Sequence, residues 1–211
     1  MAELLLELLS EEIPARMQAR AARDLRELVD RALKEAELAA ESVRTFVGPR
    51  RLALVVRGLP ARQPDALVEK RGPRVGAPEA ALEGFKSSLG VADYKLEEQD
   101  DKKGRLWVAR YTRPGKGTAE ILAPILVAIL TRFPWPKSMR WGSHGVRWVR
   151  PVHGIVCLLD GEVVPLAFGP IEAGRSTRGH RFLAPAAFEV QDFEDYRQKL
   201  AAAFVQLDAA E

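Results

Sequence analysis

Between Leu4 and Leu9 every residue is leucine except Glu7, and this run is followed at once by Ser10-Glu11-Glu12-Ile13-Pro14. So short and apolar a segment, closed by a proline suited to a first helical turn, reads as a buried strand leading into a helix. A buried strand must hydrogen-bond to other strands, so the fold has to contain a sheet. Met17, Ala21, Leu25, Leu28, Ala32 and Ala36 then recur at three- and four-residue steps with Arg and Glu between them. That spacing predicts an amphipathic helix to about Leu38.

Further along, Val43–Val47 and Leu52–Val56 read as two strands joined by a tight basic turn, Gly48-Pro49-Arg50-Arg51, with both arginines at a strand end. Ala66–Lys70 is a further short strand closed by Arg71-Gly72-Pro73, and Pro78–Leu89 has helical spacing before Gly90. Tyr94–Leu96 and Leu106–Tyr111 are expected strands around a polar turn stretch, Glu97–Gly104. Thr118–Arg132 is an apolar helix with Thr118 as N-cap and Pro124 kinking it or sitting near its first turn. Residues 133–151 hold three of the four tryptophans and no acid, which predicts an ordered, irregular loop. Gly154–Leu159 and Glu162–Leu166 flank Asp160-Gly161, the signature of a type I′ hairpin. Gly169–Phe182 reads as irregular and basic, and Phe188–Leu207 as helical in its second half. Strands and helices without strict alternation predict an α+β fold, with a mixed or largely antiparallel sheet, packed helices and long basic Gly/Pro-rich loops. One or two compact α+β domains are expected over residues 1–211, with a subdivision near 112–118.

A chain of 211 residues with 47% hydrophobic and 29% charged residues can bury its own core without metal or disulfide support. Its longest apolar run, Ile121–Leu130, is about half of the roughly 20 residues a membrane span requires, so no membrane association is expected. Cys157 is the single cysteine and lies in an apolar run, which fits a small buried hydrophobe. With no signal-peptide pattern at the start of the chain, this points to a reducing, cytoplasmic location.

The net charge of +3 hides strong segregation. Residues 44–74 sum to +6 and 132–181 to +5, while 1–43 and 182–211 each sum to −4. Two basic blocks in a near-neutral chain would form a polyanion-binding face if folding joined them. The phosphate-loop, dinucleotide, zinc-protease and hydrolase signatures are all missing from the sequence. His144, His153 and His180 are widely separated in basic surroundings, so neither a metal site nor a catalytic residue is assigned.

Four basic clusters remain: Gly48–Arg51; Glu69–Arg74; Pro136–Gly142 continuing to Trp148–His153; and Arg175–Phe182. In each, rigid Gly or Pro backbone presents Arg or Lys to phosphate or carboxylate at little ordering cost. The candidate RNA-binding residues are Arg50, Arg51, Lys70, Arg71, Arg74, Lys137, Arg140, Trp141, Arg150, His153, Arg178, His180 and Arg181. Trp141 and Phe182 could add base stacking. Equally, the clusters could be scaffold, organising loops and docking a protein partner, and the Pro/Trp-rich stretch 133–151 fits such an interface core.

In order, Leu4–Pro14, Phe46-Val47-Gly48-Pro49-Arg50-Arg51-Leu52-Ala53, Glu69-Lys70-Arg71-Gly72-Pro73, Pro136-Lys137-Ser138-Met139-Arg140-Trp141-Gly142, Val149-Arg150-Pro151-Val152-His153 and Thr177-Arg178-Gly179-His180-Arg181-Phe182 resemble one family. It is the β subunit of bacterial heterotetrameric glycyl-tRNA synthetase, in its amino-terminal part. The resemblance implies ATP-dependent charging of glycine tRNA in an α2β2 assembly, with a second β subunit present. The catalytic core, with its ATP and Mg, would belong to the α subunit, leaving no cofactor in this chain. The family's HD-like and anticodon-binding regions have no counterpart here, so the chain reads as a fragment. A proofreading site around His153 and His180 lacks a nucleophile, base and orienter set.

Overall fold

The computed structural model describes residues 1–102 and 104–208; Lys103, in the expected turn stretch Glu97–Gly104, and residues 209–211, at the end of the expected 1–211 domain region, lie outside the described residues. Along the chain run β1 (Ala2–Ser10), α1 (Ala15–Glu35), β2 (Ser42–Val47), β3 (Arg51–Leu59), β4 (Ala66–Arg74), α2 (Glu79–Ser87), β5 (Lys95–Asp101), β6 (Gly104–Arg113) and α3 (Thr118–Thr131). There follow β7 (Met139–Arg140), β8 (Arg147–Trp148), β9 (Val152–Leu159), β10 (Glu162–Val163), β11 (Ala167–Phe168), β12 (Ile171–Gly174), β13 (Ser176–Arg178), β14 (Ala187–Glu189) and α4 (Phe193–Ala202). This is an α+β fold in two compact units, one formed by Met1–Arg62 with the chain from Lys116 onward, the other by Gln63–Gly115.

The larger unit is built on a sheet of order β11-β12-β9-β1-β3-β2, with β10 also paired to β9. All pairings are antiparallel except β12 with β9, so the sheet is mixed. The leucine run is a central strand: Leu6 lies opposite Leu54 on one side and Cys157 on the other. Leu4, Leu6 and Leu8 face a core shared with α1 and α3, while Leu5 faces one shared with Phe193, Tyr196 and Leu200 of α4. Helices therefore cover both faces, which is why the strand carries no polar alternation. Each leucine so enclosed contributes about 1.5–3 kcal/mol relative to an exposed one. Cys157 is fully buried in the first core, and burial pushes its thiol up to about 12.

Several local expectations shift. Helix α1 buries Met17, Ala21, Leu25, Val29 and Leu33, whereas Leu28, Ala32 and Ala36 are only half-buried. The contact row follows successive four-residue steps, which wind about the helix axis and match a twisted sheet better than a straight stripe. Thr118 is the first helical residue rather than the cap, Gly117 holding that place, and its hydroxyl donates to the Pro60 carbonyl. Pro124 lies inside α3, beyond its first turn. Asp160 and Gly161 adopt φ of 48° and 81°, as a type I′ turn demands. The stretch Gly169–Phe182, read as irregular, carries β12 and β13, paired to β9 and β14.

The smaller unit is a three-stranded antiparallel sheet, β4-β6-β5, on which α2 packs through Phe85, with Leu89 just past the end of the helix, against Ala109. Strand β4 does not stop at Lys70 but continues to Arg74 through a bulge after Arg71. A Cβ on Gly72 would stand 2.5 Å from the Phe85 ring, so glycine lets the helix close onto the strand. The supposed turn stretch from Glu97 is strand as far as Asp101. Cross-strand ion pairs carry it: Arg105 to Glu98 at 2.7 Å, and Arg110 to both Glu97 at 2.6 Å and Glu69 at 3.0 Å.

Candidate functional site

Two acids, Glu7 within β1 and Glu11 just after it, organise basic clusters of the larger unit. Glu7 is 1% exposed and faces α4. It accepts hydrogen bonds from the hydroxyls of Thr177 and Tyr196 and from the Arg51 guanidinium at 3.0 Å. Arg51, itself 5% exposed, donates its other terminal nitrogen to the Arg178 carbonyl at 2.8 Å. A buried carboxylate with three donors is a satisfied network, not a free acid. Burial, with the adjacent Glu7 charge, holds the Tyr196 phenol well above its ordinary range, so it stays a donor. Arg51 thus turns inward and pins the backbone of the Arg175–Phe182 cluster.

Glu11 gathers the outward groups. His153 Nε2 lies 2.7 Å and Arg181 2.8 Å from its carboxylate, with Arg50 at 3.8 Å. The backbone holds these loops together: Ser10 N–H donates to the Arg50 carbonyl at 2.8 Å, and Glu11 N–H to the Pro151 carbonyl at 2.9 Å. The hydrogen bond to His153 keeps the Glu11 carboxyl below the usual glutamate range, with Arg181 adding to it. A depressed acid contributes stability that is present above its unfolded value and is lost as pH falls through the folded one. Glu11→Gln should therefore flatten the acid-side loss of stability below about pH 4.3, leaving pH 7 nearly unchanged because the group is part-exposed. Urea midpoints from pH 3 to 7 test this; an unaltered acid limb would refute it.

Of the predicted residues, Arg50, His153, Arg178 and Arg181 line one recess, and all but Arg178 are paired with Glu11. His180 lies in an adjoining recess with Arg50, Arg51 and Arg181. The Arg178 side chain donates to the Pro185 carbonyl at 3.0 Å. Arg150 is half-buried and donates to the Val149 carbonyl at 2.7 Å. Lys137, Arg140 and Trp141 are elsewhere, around the β7–β8 hairpin, where Trp141 packs at 6.2 Å on Phe168. Among the described residues no hydrogen bond or ion pair ties Lys137 or Arg140 to the Glu11 group. Lys70, Arg71 and Arg74 belong to the smaller unit. There Lys70 binds the Ser88 carbonyl at 2.9 Å, capping α2, while Arg71 and Arg74 are exposed.

Glu7, Glu11, Tyr196 and Phe204 were not anticipated. Glu7 carried a signal, since an acid inside a buried leucine run must find partners. Glu11 carried none, because an acid after a strand is unremarkable. Among the described residues, no group of three or more His, Cys, Asp or Glu is placed to hold a metal ion, and no helix is long and apolar enough to cross a membrane.

Residues 4–211 match the family model described as glycyl-tRNA synthetase beta subunit. The chain is 56% identical over its whole length to the glycine–tRNA ligase beta subunit of Paracoccus denitrificans and 53% identical to that of Cereibacter sphaeroides, covering 31% of each. It is 50% identical to that of Phenylobacterium zucineum, again over 31% of the relative. The chain thus spans about a third of the length of the curated relatives it matches. With a family match over nearly every residue and 56% identity to a glycine–tRNA ligase beta subunit over the whole chain, the chain belongs to the glycyl-tRNA synthetase β subunit family.

Proposed function

We propose that this chain is the amino-terminal part of a cytoplasmic β subunit that supports ATP-dependent glycylation of tRNA, and that it does so by contacting tRNA through the Arg50, His153, Arg178 and Arg181 recess. In this reading the ATP and Mg chemistry is supplied by the α subunit of an α2β2 assembly, and this chain has no catalytic residue. The observation that carries it is convergence: three loops distant in sequence bring three guanidinium groups and an imidazole around one recess, with Glu11 holding Arg50, His153 and Arg181 in place. Such contacts position a phosphate backbone and do not read its sequence. Lys137, Arg140 and Arg150 in the same unit, with Lys70, Arg71 and Arg74 of the smaller unit, add further backbone contacts, and Trp141 a stacking surface.

Titrating the chain with glycine tRNA and a non-cognate tRNA at several salt concentrations tests the proposal. Each phosphate contact adds about one to the slope of log affinity against log salt, so Arg178→Ala with Arg181→Ala should lower the slope by about two. Unchanged affinity and slope would remove the recess from tRNA binding. A second reading, docking of the α subunit, is favoured by the exposed Phe182, Leu183 and Phe204 beside the same loops. Complex formation with the α subunit in the absence of tRNA, lost on substituting these residues or Trp141, would support it.

A further inference from the structure

We propose that the two adjoining recesses form a seat for a single unpaired nucleotide of an RNA strand, its phosphate on the Arg50–Arg178–Arg181–His153 side and its base among His180, Phe182 and Phe204. The inference rests on the tRNA reading and names what within the tRNA would be bound.

The recesses are halves of one groove, because Arg50, Gly179, Arg181 and Phe182 line both. One half is cationic; the other, of about 350 Å³, exposes mainly the rings and aliphatic groups of Phe182, Phe204, Val205 and Leu207, with Arg50, Arg51, Arg181 and Glu12 also on its lining, and falls within the size range of small-molecule sites. A charged half beside an apolar half matches a nucleotide, whose phosphate and base differ in the same way. A simple anion would have no use for the rings, and an apolar peptide would make no use of the cationic side.

Three details sharpen the match. Arg50 Nε is enclosed and, among the described residues, has no hydrogen-bond partner, an unfavourable state for a donor that a turn of the guanidinium toward an oxygen arriving in the cationic half would relieve. The Arg181 guanidinium lies 5.8 Å from the Phe182 ring centroid and the His180 ring 6.1 Å from it, so cation and rings are already side by side for stacking. His180 Nδ1 accepts from the backbone N–H groups of Phe182 and Leu183 at 3.3 and 3.2 Å, which fixes the imidazole ring beside Phe182.

The floor is rigid. A Cβ on Gly179 would stand 2.3 Å from the Ala203 Cβ, and His180 N–H donates to the Ala203 carbonyl at 2.9 Å. The loop carrying Arg178 to Phe182 is thereby fastened to the end of α4, and from the other side to Arg51 through the Arg178 carbonyl. Little ordering is left to be done on binding.

The test uses the chain with two fluorescein-labelled probes, tetra-adenylate and a tetramer of the same backbone with abasic riboses. Tetra-adenylate should bind about tenfold tighter than the abasic strand. Phe182→Ala with Phe204→Ala, both at exposed positions, should erase that difference and leave the salt slope intact. Arg50→Lys, which keeps the charge but removes Nε, should weaken both probes severalfold. Equal binding of the two probes by the unaltered chain would overturn the inference, as would tRNA binding without tetra-adenylate binding, which leaves the tRNA reading standing. Loss of α-subunit association with unchanged tetra-adenylate binding in the Phe variant would also overturn it, in favour of a protein surface. Tetra-adenylate binding with no binding of tRNA would support the seat and sink the tRNA reading alone.

Discussion

Arg51→Met should destabilise the larger unit by about 3–5 kcal/mol, read as a lower urea midpoint with an unchanged slope. Arg51 is paired at 3.0 Å to a carboxylate that is 1% exposed. Removing the cation leaves Glu7 charged in an apolar layer, with only the Thr177 and Tyr196 hydroxyls as donors. Burying an unpaired charge costs far more than the intact pair contributes. Glu7→Gln combined with Arg51→Met should therefore recover much of the loss, because no lone charge remains; a double variant as unstable as the sum of the singles would contradict this. Arg51 also holds the Arg178 carbonyl, so, on the proposed tRNA reading, the single variant should lose tRNA affinity even where it stays folded.

Trp148→Ala should cost a similar amount, about 3–5 kcal/mol. Trp148 is 1% exposed and its ring centroid lies 5.0 Å from both Phe133 and Trp135 and 5.6 Å from Phe168. This aromatic group is the core beneath the irregular 133–151 segment, which has few backbone hydrogen bonds of its own. The cavity left by an indole cannot be filled by neighbours already packed ring to ring. Denaturation followed by circular dichroism is the measurement, and a loss below about 1 kcal/mol would show that the segment collapses around the gap. The tryptophans of this stretch divide by role: Trp148 is core, whereas Trp141 is half-buried and keeps some surface for a partner.

The elements most legible in the sequence were those set by local chemistry. The leucine run, the amphipathic α1 and Asp160-Gly161 each satisfy a rule acting within a few residues, and all three form where they were expected, although the buried row of α1 passes to Val29 and Leu33 after Leu25. The stretch from Glu97 to Asp101 did not, because its strand is held by arginines of β6, a partner that local propensity does not contain. The same limit applies to β12 and β13, whose pairings are with β9 and β14.

For the candidate site, residue types alone marked Arg50, His153, Arg178, His180 and Arg181 as surface cations beside rigid backbone. They could not separate Arg51 from Arg50, its neighbour in the same turn. Side chains alternate across the start of a strand, so one of two adjacent arginines must point inward, and which one depends on where Glu7 lies in the paired register. Family membership, the sheet and the main helices were therefore decided by the sequence itself, because they rest on patterns of a few residues. The inward turn of Arg51, the gathering of three loops around Glu11 and the joining of a cationic recess to an apolar one were decided only by tertiary structure, because each depends on contacts between residues far apart in sequence, 44 positions for Arg51 with Glu7 and 170 for Arg181 with Glu11.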